Sequence, residues 1–418
     1  MQTQITFLGG AREVGRSAIL LESDKHILLD YGIKLDHKTE YPLRIKTKLD
    51  AYVLSHAHLD HSGFAPILYS GNYVDAYGTP PTIELTRLLI EDALKISRRN
   101  RQKPAFSKGD LRRFERAYKP LDYYSEVDVG DYTISLHDAG HITGSAITLI
   151  ENRRTDKRLV YTGDFKLEAQ TLQKGAEVVK SDILITESTY ADREHPDRSA
   201  LIKSFVEEVK SIIDNNGTAL VPVFAVGRAQ EILTILYQHN LIDYAVIDGM
   251  AKHASEIVMR YPNYSVNESM LLGAMKNVTW IGTERSRKSV TSPAIVVTTA
   301  GMLNGGPVLD YILDLNKRSK IFLTGYQLEG TNGRRLLEGK PIVIDNRKYA
   351  IKTPVAYYDF SAHAGRSDLF EYVRRSNPEK VICVHGDANV AYNFAESLKL
   401  EGFDAVAPQI GESVKIEF

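Results

Sequence analysis

The chain has 418 residues, 43% of them hydrophobic and 25% charged, with a net charge of −1. A length of this order asks for two or three hydrophobic cores, and the composition excludes a disordered or fibrous chain. No apolar run is long enough to cross a bilayer, the strand-like N-terminus argues against a signal peptide, and the balanced charge does not by itself call for a polyanionic partner.

Strands are expected at 2–8, 17–22, 26–30 and 51–54. The last of these runs into Ser-His-Ala-His-Leu-Asp-His at 55–61, with four metal-type ligands in six residues. Imidazole and carboxylate suit a first-row divalent cation, Zn²⁺ foremost. On an extended segment His56 and His58 point to one side, whereas Asp60 and His61 fall beyond the turn and can serve a neighbouring ion. A helix follows, with Leu85, Leu88, Leu89, Ala93 and Ile96 on its expected inward face. Between 97 and 119 stand Arg98, Arg99, Arg101, Lys103, Lys108, Arg112, Arg113, Arg116 and Lys119, opposed only by Asp110 and Glu115. Such a stripe is either a solvated helix face or a phosphate-binding surface.

Strands return at 131–137, 145–150, 158–161 and 182–186. Asp-Ala-Gly-His141 and Tyr-Thr-Gly-Asp164 each place a ligand type just past a strand, and Gly140 and Gly144 let the backbone turn His141 into a site. From about 190 the texture becomes strict alternation: helix 199–214, strand 219–223, a helix from Arg228, strands 245–247 and 294–298, helix 307–315 and strand 320–323. That is the pattern of a parallel, doubly wound sheet. The chain closes with strand 354–358, helix 367–375, strand 379–384 and helix 388–399. The sole cysteine, Cys383, lies in apolar Lys380-Val-Ile-Cys-Val384, which excludes an intrachain disulfide and fits a buried thiol in a reducing, cytoplasmic compartment.

His385 follows that strand. His56, His58 and His141 would hold one ion; Asp60, His61 and His385 the other; Asp164 could bridge both. Such a set leaves positions open for water, as catalysis requires and a structural site does not. Ligand types lie before and after the alternating block and hardly within it. One metal-bearing domain, 1–191 and 362–418, interrupted by an α/β domain at 192–361, is the simplest account.

His-x-His-x-Asp-His with the later His, Asp and His resembles the metallo-β-lactamase superfamily. Pro222-Val-Phe-Ala-Val-Gly-Arg-Ala-Gln-Glu231, Ala300-Gly-Met-Leu-Asn-Gly305, Thr324-Gly-Tyr-Gln-Leu-Glu-Gly330 and Phe360-Ser-Ala-His363 resemble segments of its β-CASP nucleases, as does Leu8-Gly-Gly-Ala-Arg-Glu-Val-Gly-Arg-Ser17. The resemblance runs end to end and is nearest to archaeal cleavage and polyadenylation specificity factor-like nucleases without KH domains, with the RNase J group as a close relative. It implies an α/β fold, a metallo-β-lactamase αββα sandwich with an inserted, Rossmann-like β-CASP domain. It also implies two Zn²⁺ ions, with Mn²⁺ able to substitute. Asp30 enters as a carboxylate supporting the metal site. Glu187 and His363, at the junctions of the insert, enter with Asp60 as catalytic residues in the cleft where substrate would lie. Family members acting on RNA carry histidine at the position of His385, whereas DNA-repair relatives carry an apolar residue. One departure is Gly365, where the family commonly has an acidic residue; Asp368 is the available substitute.

The implied activity is hydrolysis of RNA, single-stranded by expectation, to 5′-phosphate and 3′-hydroxyl ends. His363, held cationic by Glu187, would protonate the leaving 3′ oxygen. Arg228, Ser361 and the amides of loop 301–306, Gly301 first, are candidate phosphate contacts. Endonucleolytic RNA processing of the mRNA 3′-end type is the leading expectation, and 5′-to-3′ exoribonuclease action of the RNase J type is the alternative. A non-catalytic scaffold predicts missing ligands, and a small-molecule hydrolase leaves the insert, Glu187 and His363 unexplained. A homodimer or partners in an RNA-processing complex are compatible with these residues, and no membrane association is expected.

Overall fold

The computed structural model describes residues 3–35, 38–99 and 101–418. The expected strand start at Gln2 lies outside the described residues. Packing divides the chain into two units: Met1–Ala169, Gly175–Glu194 and Ala362–Phe418 form the first, Gln170–Lys174 and His195–Ser361 the second. Boundaries were expected at 191/192 and 361/362. The second unit starts slightly later and also takes a detached strip, which no linear reading of the chain discloses. Within that unit Thr171 N–H donates to Glu231 Oε1 (3.0 Å), Asn267 Nδ2 donates to the Thr171 carbonyl (2.8 Å), and Val266 N–H donates to the Leu172 carbonyl (2.8 Å).

The first unit is a four-layered αββα sandwich. Among the described residues one seven-stranded sheet has the order Ser413–Ile416, Thr3–Gly9, Ala18–Glu22, His26–Leu29, Ala51–Val53, Asp75–Gly78, Tyr118–Pro120. The other runs Asp404–Val406, Lys380–Val384, Ile183–Glu187, Lys157–Tyr161, Ala146–Asn152, Tyr132–Asp138, Glu126–Val129. Side chains alternate across a strand, so Phe7, Leu21, Ile27 and Val53 of one sheet meet Ile134, Ile150, Ile185 and Ile382 of the other in a shared core. The outer faces are covered by helices. Leu20, Leu28 and Tyr52 pack with Leu94, Leu111 and Phe114 from helices Pro80–Arg99 and Lys108–Ala117. Leu149, Leu184 and Cys383 pack with Val373, Phe394 and Leu398 from helices Arg366–Ser376 and Ala388–Leu400. Each such side chain contributes roughly 1.5–3 kcal/mol on burial, so these three layers carry the unit's stability.

The expected inward face of helix Pro80–Arg99 needs correction. Leu85 and Leu89 are buried as expected, but Ile96 is 52% exposed, and Ile90 and Leu94 take the inner positions. The reason is the second helix: Ile90 and Leu94 share a cluster with Leu111 and Phe114, so the stripe turns toward Lys108–Ala117 as the helix proceeds.

Strand direction then positions the site. Lys157–Tyr161, Ile183–Glu187 and Lys380–Val384 are parallel neighbours. Tyr132–Asp138 runs the same way, being two antiparallel steps from Lys157–Tyr161. Four strands therefore end along one edge, where the chain presents His141, Asp164, Glu187 and His385. In the facing sheet the parallel pair His26–Leu29 and Ala51–Val53 ends just before Asp30 and the 55–61 cluster.

The second unit holds a six-stranded, all-parallel sheet among the described residues, in the order Thr279–Trp280, Ala245–Asp248, Ala294–Thr298, Thr218–Pro222, Lys320–Leu323, Val355–Tyr357. Val296, Ile321 and Leu323 pack with Val308, Ile312 and Leu336 on one face, and Phe205 of helix Arg198–Asp214 meets Phe322 with ring centroids 5.7 Å apart. It is the parallel sheet that the alternation predicted, and it agrees with the Rossmann-like insert that the resemblance implied. No helix of the described residues is long and apolar enough to cross a membrane.

Candidate metal centre

At the shared strand edge His56, His58, His141 and Asp164 bring one ligand atom each within 4.8 Å of one another, and so do Asp60, His61, Asp164 and His385. All seven residues singled out by spacing thus converge. Asp164 stands between the groups and divides its oxygens. Its Oδ2 lies 3.5 Å from His56 Nε2 and 3.9 Å from His141 Nε2, while its Oδ1 lies 3.3 Å from His61 Nε2 and 3.9 Å from His385 Nε2. One oxygen thus faces each ligand group. Asp60 Oδ2 lies 3.7 Å from His385 Nε2.

Other groups hold the far side of these rings. Asp30, fully buried, accepts from Ser55 N–H at Oδ1 (2.7 Å) and from Ser55 Oγ (2.7 Å), His61 Nδ1 (2.7 Å) and Tyr161 Oη (2.8 Å) at Oδ2. Four donors around one carboxylate fix the His61 tautomer and leave Nε2 for the centre. His385 Nδ1 bonds Ser17 Oγ at 2.7 Å, and His141 Nδ1 donates to the Ala362 carbonyl at 2.9 Å. Asp30 and His385 adopt left-handed backbone angles (φ 56° and 48°), which side chains other than glycine seldom take and which these bonds stabilise. Gly32 is needed for contact: a Cβ there would lie 1.7 Å from the Asp60 carbonyl oxygen. Spacing singled out Asp30 only through resemblance and missed Ser17, Ser55 and Tyr161. All three lie inside segments already noted, but a serine or tyrosine at a strand end has no period or ligand signature of its own.

The donor set fits a cation. His56 Nε2, His61 Nε2, His385 Nε2 and Asp164 Oδ1 are buried without a hydrogen-bond partner, although such an atom costs about 1–3 kcal/mol unless something satisfies it. With its Nδ1–H given to Ala362, a neutral His141 turns its Nε2 lone pair to His58 Nδ1 at 3.1 Å, where it can accept the His58 Nδ1–H. Burial, reinforced by neighbouring imidazoles, pushes His56 and His141 well below the usual histidine range, into the neutral form that binds metal. Burial opposes charge on His61 too, but Asp164 and Asp30 outweigh it and hold His61 well above that range. Asp164 stays ionised for the reciprocal reason: burial raises its pKa, and His385 and His61 bring it well below the carboxylate range.

Beside the centre His363 Nδ1 lies 2.9 Å from Glu187 Oε2 and 4.0 Å from Asp164 Oδ2. Glu187 ends strand Ile183–Glu187 and is anchored by Phe165 N–H, which donates to its Oε1 at 2.8 Å. His363 is brought up by a parallel bridge between Tyr190 and Gly365. Burial disfavours its charge, but Glu187 and then Asp164 prevail and push its pKa up to about 9. Its side chain is 22% exposed, so the ring is accessible where the ligands His56, His61, His141, Asp164 and His385 are buried. Asp368, three residues after Gly365, accepts from Lys166 Nζ at 3.4 Å.

The phosphate candidates lie in the second unit. Arg228 starts helix Arg228–Gln238 after Gly227 (φ 83°), is buried, and sits 5.9 Å over the Phe360 ring. Ser361 is buried beside it in sequence, with its N–H donating to Asp359 Oδ1 at 3.3 Å. Gly301 packs against the Val223–Phe224 backbone, where a Cβ would meet Phe224 N at 3.1 Å.

Three family matches cover the chain: residues 19–190 match a metallo-beta-lactamase superfamily domain, 229–336 a Beta-Casp domain, and 348–408 a Zn-dependent metallo-hydrolase RNA specificity domain. The chain is 40% identical to the "Probable RNase MJ4" of Methanocaldococcus jannaschii, over 99% of this chain and 100% of that one. It is 34% identical to "RNase aCSPSF2" of Saccharolobus solfataricus (99% and 85%) and 34% identical to "Transcription termination factor FttA" of M. jannaschii (95% and 69%). A crystal structure of a protein of unknown function from Enterococcus faecalis shares the fold with TM-score 0.63 at 16% identity, covering 100% of each chain.

Proposed function

The chain belongs to the β-CASP branch of the metallo-β-lactamase superfamily, and from that premise we propose a zinc-dependent endoribonuclease that cleaves single-stranded RNA to 5′-phosphate and 3′-hydroxyl ends. The observation that carries it is the Glu187–His363 pair, set 4.0 Å from the bridging Asp164. A site that only stores metal has no use for a partly exposed, cationic imidazole beside its ligands. A hydrolase that must protonate a leaving alkoxide does.

His56, His58, His141 and Asp164 would hold one Zn²⁺, and Asp60, His61, Asp164 and His385 the second, with Mn²⁺ as a substitute. Two such ions supply Lewis acidity toward the scissile phosphate and an acidified water at neutral pH. Glu187 orients His363 through Nδ1, leaving Nε2 to give its proton to the departing 3′ oxygen. Asp30 and Ser17 keep His61 and His385 in the tautomers whose Nε2 atoms face the centre. Arg228, Ser361 and the amides at Gly301 are proposed to hold flanking phosphates.

Relatives called RNases, and another called a transcription termination factor, support RNA 3′-end processing as the biological setting. Incubation with RNA labelled at a 5′ end bearing either phosphate or hydroxyl tests the reading. Discrete internal fragments from both substrates are expected. Released mononucleotides would instead assign 5′-to-3′ exonuclease action, and intact RNA in the presence of Zn²⁺ and Mn²⁺ would overturn the proposal.

A further inference from the structure

We propose that the exposed basic face of helices Pro80–Arg99 and Lys108–Ala117 is a docking track that leads the RNA phosphate backbone toward the metal centre, an assignment resting on the ribonuclease reading above. The two helices form a hairpin with one end at the site. Thr79 Oγ1 and Thr82 Oγ1 both donate to the Gly144 carbonyl (2.6 and 3.0 Å), three residues from the ligand His141. Tyr118 Oη, just past the second helix, donates to the Thr79 carbonyl at 3.0 Å, so that helix returns to the same place. The far end lies a full helix length away, about 30 Å for 20 residues.

Basic side chains occupy this hairpin from end to end. Arg98, Arg99, Arg101, Lys103 and Lys108 crowd the distal turn, and all are exposed. Lys108, Arg112 and Arg116 follow at intervals of four, which keeps them on one face of the helix that leads back to Tyr118. Asp110 takes Arg113, Asp75 takes Lys119, and Glu115 lies 3.6 Å from Arg87. Among the described residues Arg98, Arg99, Arg101, Lys103, Lys108, Arg112 and Arg116 have no carboxylate within ion-pair distance. Exposed cations this close together repel one another, and Glu115, which already faces Arg87 and also feels Arg112, offsets little of that charge.

The charge balance makes the face directional. Nine basic and two acidic residues lie between 97 and 119 in a chain of net charge −1, so the remaining residues sum to −8. A polyanion is repelled by most of this molecule and drawn to one stripe of it, which is the condition for electrostatic steering. The stripe's length of about 30 Å spans several phosphates of a single strand, so only RNA extending well beyond the scissile bond can use it.

The test is a variant with Arg98→Gln, Arg99→Gln, Lys103→Gln, Arg112→Gln and Arg116→Gln, assayed on unstructured RNAs of about 6 and about 30 nucleotides sharing one cleavage site. Binding of the long RNA is also followed by fluorescence anisotropy in EDTA across a salt series. For the long RNA, KM is expected to rise about tenfold or more and the log–log salt slope to shrink by about three, at roughly 0.7 per lost phosphate contact. For the short RNA, kcat and KM stay at wild-type values. An unchanged long-RNA affinity and slope overturns the track, as does an equal loss on both lengths. Displacement of the long RNA by polyglutamate of the same charge as readily as by RNA assigns the face to an acidic protein and overturns it too. If neither RNA is cleaved by wild type while the slope difference persists in EDTA, the track stands and the hydrolytic reading falls.

Discussion

Ionisable side chains gather in two regions of the first unit and are treated in opposite ways. In the metal centre His56, His61, His141, Asp164 and His385 are almost wholly inaccessible, with polar atoms aimed at one another. On the helical hairpin Arg98, Arg99, Lys108, Arg112 and Arg116 are exposed and spread along a surface. A buried polar atom without a partner costs about 1–3 kcal/mol, so in the first region position must be set to fractions of an ångström. An exposed cation keeps its hydration and acts over a screening length of about 10 Å at 0.1 M salt, so in the second only the sum and direction of charge matter. The proposed chemistry depends on the first arrangement, and the proposed capture of RNA on the second.

If that contrast holds, single substitutions should be severe in the centre and mild on the hairpin. The largest effect is expected from Asp164→Asn, since an amide cannot bridge two cations: both ions should be lost by elemental analysis, and cleavage with them. Next, His363→Ala should slow cleavage by a hundredfold or more with metal content intact; loss of metal from this variant would make His363 a ligand and blur the distinction. Asp30→Ala should weaken metal affinity by about ten- to a hundredfold, read by competition with a chelator, because His61 loses its orienting carboxylate. Beneath the hairpin, Leu94→Ala should cost about 2–5 kcal/mol in denaturant unfolding, whereas Ile96→Ala should stay within about 0.5 kcal/mol. Equal values for these two would mean that the inner face of helix Pro80–Arg99 has been misassigned.

Much of the centre was legible in advance because metal chemistry restricts residue type and because strand ends repeat a layout. His56, His58, Asp60 and His61 crowd one turn, while His141, Asp164 and His385 each follow an apolar strand by a few residues. The groups behind them were not legible. Ser17 reaches His385 across 368 positions and Tyr161 reaches Asp30 across 131, and nothing local to a serine or tyrosine announces such a bond. The strip Gln170–Lys174 escaped for a similar reason: five residues have no period, and their membership of the second unit is decided by hydrogen bonds to Glu231 and Asn267.

By itself the sequence determined the class of chemistry, the alternation of strands and helices, and the interruption of one domain by another. These follow from residue type and from periods of two and 3.6, which are properties of neighbouring residues. Tertiary structure alone decided that Asp164 turns one oxygen to each ligand group and that Ile90 and Leu94 displace Ile96 from the inner face. Each depends on distances between segments far apart in the chain, which are set when the sheets and helices pack.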